Sequence, residues 1–170
     1  GKQLPVIAGT SANDPAEVRR LIEEGAELGA SAVLVAVPAE SYVNPDRLLP
    51  FFLEATRGCS LPLVVQDLEF NGPGLSLDQM RMLTEALPRL AGWKIETVPS
   101  GPKYTAVQEA FGEDCHISGG WAVPQLIEAL DRRVDAMIPE ASMVRVYQAI
   151  RKRYLSGNRE GAVMLFRRLL

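Results

Sequence analysis

Leu90-Ala91-Gly92-Trp93-Lys94-Ile95-Glu96-Thr97 decides how the rest of the chain reads. Apolar residues fill it, Pro88 stands shortly before and Pro99 shortly after, so it reads as a short buried strand. Alternation puts Gly92, Lys94 and Glu96 on one face and Trp93 and Ile95 on the other. A lysine in such a place needs a reason. Ammonium groups are almost never fully buried unless paired, because stripping their water costs several kcal/mol. Two readings stay open. Either Lys94 sits near the strand's end and reaches solvent, or it shares an apolar pocket with Glu96, where an amine suits Schiff-base chemistry on a carbonyl compound.

Outward from this strand the same unit recurs. Upstream, Leu4 to Thr10 is a short apolar run, and Asn13-Asp14-Pro15 opens a helix to Leu28 with Val18, Leu21, Ile22 and Leu28 on one face. Ala32 to Val37 is an unbroken apolar run, as in a parallel strand covered on both faces. A helix from about Asn44-Pro45, a strand from Leu61 to Gln66 and a helix from Ser76 to Leu87 lead to the lysine strand. Downstream come a helix from about Lys103 to Phe111, a strand from Cys115 to Ser118 and a helix from Val123 to Leu130. A weak strand at Ala136-Met137-Ile138 precedes helices at Ser142–Leu155 and Arg159–Leu170.

Roughly six β-α units call for a parallel α/β fold. The Gly-rich phosphate loops of a doubly wound nucleotide-binding sheet are missing. Polar residues instead close the strands: Thr10-Ser11, Gln66-Asp67, Lys94 with Glu96, Ser118 and Glu140. That pattern belongs to a (β/α)8 TIM barrel, here an incomplete one, since six units do not close it.

The composition is that of an ordinary globular protein, with 47% apolar and 23% charged residues in 170. A net charge of −3 with scattered Lys and Arg argues against a nucleic-acid footprint. No apolar run is long enough to span a bilayer. The two cysteines and one histidine show no metal-ligand spacing, and two thiols with no secretion signal fit a cytoplasmic location.

Pro5-Val6-Ile7-Ala8-Gly9-Thr10, Ala32 to Pro38, Gly92-Trp93-Lys94 and Ile117-Ser118-Gly119-Gly120 follow one another in an order that resembles the dihydrodipicolinate synthase / N-acetylneuraminate lyase family of class I aldolases. The resemblance implies a (β/α)8 barrel, of which this chain covers roughly strands three to eight. It divides the chain into a partial barrel, residues 1–140, and C-terminal helices, residues 141–170, that begin the family's helical extension. It makes Lys94 the residue that condenses with pyruvate or another 2-oxo acid, and it puts Gln66, Ser118, Gly119 and Ile138 around the bound acid. It implies no metal or organic cofactor, and a homo-oligomer, dimer or tetramer.

Departures from the family pattern matter as much. Gln66-Asp67 stands where members typically carry Tyr-Asn, as in a divergent branch of the family, and an amide has no pKa useful for acid–base work. Ala39 and Glu40 replace a pair of tyrosines, and Asn71 and Gly72 occupy the region of an arginine that grips a carboxylate. The family's first two β-α units, with their threonine pair, have no counterpart here. The strands near Val6 and Met137 are therefore expected to be covered by further chain or by a second copy.

Two functions follow as expectations. One is a class I lyase, whether aldolase, synthase or dehydratase, acting through a Lys94 Schiff base. The other is a catalytically impaired paralogue acting as a ligand-binding or structural protein. Glu96 is either a catalytic group or a structural partner of a neighbouring charge. Asp67 is expected to face the helices, and His116 to be packed or capped.

Overall fold

The computed structural model describes residues 4–69, 71–112, 114–120 and 123–170. Six strands form one parallel sheet: β1 (Ile7–Gly9), β2 (Ala32–Ala36), β3 (Leu63–Asp67), β4 (Leu90–Ile95), β5 (His116–Gly119) and β6 (Ala136–Met137). Their spatial order is their chain order, β1-β2-β3-β4-β5-β6. A doubly wound sheet reverses order at a switch point, and none occurs among the described residues. Sequential parallel strands, each followed by a helix, are the wall of a partial (β/α)8 barrel.

The helices between strands are α1 (Pro15–Glu27), α2 (Ala39–Val43), α3 (Leu48–Ala55), α4 (Leu77–Ala86), α5 (Ser100–Phe111) and α6 (Leu126–Asp131). Val33, Val35, Val65, Trp93, Ile95 and Ile117 point from the strands into this layer and meet Val18, Ile22, Phe52, Met80, Leu83, Tyr104 and Val107 in one core. The inner face differs. Along β2, Val33 and Val35 are fully buried while Ala32, Leu34 and Ala36 are only partly so. The expectation of a strand covered on both faces is therefore corrected. Helices cover one face, and the curled sheet leaves the other open among the described residues.

Local chemistry explains most element ends. Asp14 caps α1 by accepting from the Ala16 N–H, with Pro15 at the first helical position. Ser76 and Gln79 form a capping box: the Ser76 hydroxyl accepts from the Gln79 N–H at 3.2 Å and the Gln79 side chain accepts from the Ser76 N–H at 2.7 Å. Ser76→Ala is expected to cost about 1 kcal/mol of stability, read as a lower urea midpoint with an unchanged slope.

Helix α5 begins three residues before the expected Lys103, because a proline in a helix's first turn removes only an N–H that has no partner there. Helix α2 was not anticipated. Beyond the sheet, α7 (Val144–Leu155) and α8 (Arg159–Arg167) pack Tyr147, Ile150, Ala162 and Phe166 against Leu126 and Ile127 of α6. Strands β1 and β6 each pair on one side only among the described residues, and Val6, Ile7 and Ile138 are exposed there.

Candidate active site

Lys94 lies one residue from the C-terminal end of β4. In parallel register it stands beside Gln66 of β3 on one side and Ser118 of β5 on the other. The three therefore share a level of the inner face, at the barrel end where catalytic groups of this architecture gather. Lys94 is mostly shielded and paired, although it stands near the strand's end. Its side chain is 14% exposed, and Nζ lies 3.3 Å from Oε1 of Glu96, itself 8% exposed. The Gln66 amide donates from Nε2 to the other carboxylate oxygen, Oε2. Glu96 is thus gripped at both oxygens, once by an ammonium and once by an amide, which offsets much of the cost of burying the pair.

Gly120 packs against this pair: a Cβ there would meet Glu96 Oε1 and Lys94 Cε, the far ends of two flexible side chains, closely enough that they would have to shift.

The other residues singled out from the sequence are nearby but not equivalent. Ser118 is buried, and its hydroxyl donates to the Trp93 carbonyl at 3.4 Å. Gly119 presents its side-chain direction to Tyr104 and Met137 on the helix side, so only its backbone borders the inner face. Its carbonyl accepts from the Ile138 N–H at 2.8 Å, and the Ile138 side chain is 40% exposed just past β6.

Asp67 faces the helices, as alternation with Gln66 requires, and is fully buried. Its Oδ1 accepts from the Tyr42 hydroxyl at 2.9 Å and from the Leu75 N–H at 3.0 Å. Lys103 Nζ lies 3.5 Å from Oδ2 and also donates to the carbonyls of Pro73 and Leu75. Burial pushes the Asp67 carboxyl above its ordinary value, against the pull of Lys103. Burial likewise raises Tyr42, with the Asp67 charge adding to it. The cluster ties α2, α5 and the β3–α4 loop to the strand beneath the site. It was not foreseen, because Tyr42 and Lys103 lie on other elements and carry no local signal.

His116 precedes Ser118 on the same strand face but lies at the opposite, N-terminal end of β5. Its Nδ1 is 3.6 Å from Asp135, whose carboxylate accepts from the Ile117 N–H at 2.7 Å. His116 stands level with Gly92, two residues before the level of Lys94. Among the described residues, no group of three His, Cys, Asp or Glu could hold a metal ion, and no helix is long and apolar enough to cross a membrane.

No family model matches the chain. A curated 4-hydroxy-tetrahydrodipicolinate synthase from Rhizorhabdus wittichii is 35% identical over 125 residues, which is 69% of this chain and 40% of that protein. Among solved structures, a dihydrodipicolinate synthase family protein from Coccidioides immitis superposes with a TM-score of 0.81 at 25% identity, over 98% of this chain and 54% of that one. An N-acetylneuraminate lyase from Fusobacterium nucleatum, solved with pyruvate, shares the fold with a TM-score of 0.82 at 19% identity, over 96% and 55% respectively. The chain spans about half the length of these proteins or less. Sequence and fold agree, and the chain belongs to the dihydrodipicolinate synthase / N-acetylneuraminate lyase family, spanning part of its barrel.

Proposed function

We propose that this barrel is a class I lyase, an aldolase, synthase or dehydratase, that acts on a 2-oxo acid such as pyruvate through a Schiff base on Lys94. The observation that carries this reading is the position of the Lys94 nitrogen on the inner face, at the C-terminal end of the strands and 3.3 Å from Glu96. The Nζ lone pair attacks the C2 carbonyl carbon, two proton transfers release the carbonyl oxygen as water, and a C=N bond remains. That cationic imine then accepts the electron pair released when a bond to C3 breaks, so the reaction as proposed calls for no organic cofactor. Gln66, Ser118, Ile138 and the backbone of Gly119 surround the bound acid. The working form is a homo-oligomer, a dimer or a tetramer, in the cytoplasm.

Incubation of the longest form of the protein its gene encodes with pyruvate and borohydride, followed by intact-mass measurement, tests this. Reduction of the imine adds one 2-oxo acid less one oxygen atom. A panel of 2-oxo acids that leaves no such adduct assigns the barrel to ligand binding or a structural role instead.

A further inference from the structure

We infer that Glu96 is the acid–base group of this site, taking the proton from C3 of the imine-bound acid and returning it, while Gln66 aims the carboxylate. This rests on the Lys94 imine proposed above. Gln66 projects toward the amine from the neighbouring strand, but its amide has no proton to exchange at useful pH. Among the described residues, Glu96 is the one carboxylate within ion-pair distance of the Lys94 nitrogen. Tyr104 is the other titratable group near by, and it is excluded by place. Its hydroxyl lies on the helix side beneath Gly119, 3.5 Å from the Ile95 carbonyl, and burial pushes its ionisation up.

The geometry suits the step. C3 of the acid is two bonds from the nitrogen that Glu96 already touches. The carboxylate takes the C3 proton, the C3–H electron pair becomes the C2=C3 bond, and the C=N π pair moves to nitrogen, giving the enamine. Reversal restores the imine, so atoms and charge balance with no further reactant. The Gln66 amide holds Oε2, which leaves Oε1 as the oxygen facing the amine. Gly120 carries no Cβ to block movement of that oxygen between nitrogen and C3.

The test is exchange of the pyruvate methyl protons with heavy water, followed by NMR and run beside borohydride trapping. Wild type is expected to exchange and to trap. Glu96→Gln, nearly isosteric, is expected to trap the same adduct while exchange slows by roughly 10²-fold or more. Glu96→Asp keeps a carboxylate and is expected to recover at least about tenfold of that loss. Exchange by Glu96→Gln within about threefold of wild type overturns the assignment. So does loss of trapping together with exchange in both variants, which puts Glu96 in imine formation or folding. Absence of trapping in wild type is a different failure, that of the imine itself.

Discussion

Replacing Lys94 with alanine is expected to abolish the borohydride adduct and to drop pyruvate proton exchange to background, a loss of roughly 10⁴-fold or more, as removal of a covalent nucleophile does. Alanine also leaves Glu96, only 8% exposed, with Gln66 as its remaining partner, so some stability goes with the chemistry. Lys94→Arg separates the two. A guanidinium keeps a positive charge beside Glu96 but stays protonated and forms no imine. The arginine variant is expected to melt near wild type and yet to show neither adduct nor exchange. Exchange that survives in both variants would place the reacting amine elsewhere.

The largest effect on folding is expected from Asp67→Ala, at about 3 kcal/mol or more. The carboxylate is fully buried, accepts hydrogen bonds from Tyr42 on α2 and the Leu75 N–H in the β3–α4 loop, and pairs at 3.5 Å with Lys103 on α5. Truncation strands the Leu75 N–H and the Tyr42 hydroxyl and removes the charge that faces the Lys103 ammonium, although the Pro73 and Leu75 carbonyls still accept from it. Urea unfolding at neutral pH measures this as a lower midpoint.

Asp67→Asn adds a test with a definite sign. Burial raises the Asp67 carboxyl above its ordinary 3.8. The unfolded chain therefore loses that proton at lower pH than the folded chain does, and stability falls as pH rises from about 3.8 through the raised value. Asparagine does not titrate, so the stability advantage of wild type over Asp67→Asn is expected to narrow across that window.

What could be read from the residues is what depends on local pattern. The lysine strand, its alternation with Trp93 and Ile95, the inward Gln66 and outward Asp67, and the caps at Asp14 and Ser76 all follow from periods of two or from the first turn of a helix. Helix α5 starts three residues before the expected Lys103, with Pro102 inside its first turn, where a missing N–H costs nothing. Helix α2 hid between Pro38 and Asn44 because five residues are too few to show a period. The Asp67, Tyr42 and Lys103 cluster was illegible for another reason. The wrap of helices around the sheet creates that proximity, and no spacing along the chain encodes it. The bond from Gln66 to Glu96 lies between these cases, since it required only that β3 and β4 be neighbours in a known register.

The role of the Lys94 amine is tested most directly by finding which side chain carries the trapped acid. Protein reduced with borohydride in the presence of pyruvate is digested, and the modified peptide is sequenced by tandem mass spectrometry. Lys103 is as shielded as Lys94, at 13% against 14% exposure, but it holds Asp67 on the helix side of the wall. The modification is expected on Lys94 alone, within the peptide that contains Gly92-Trp93. Modification of Lys103, or spread over the surface lysines with Lys94 intact, would contradict the account.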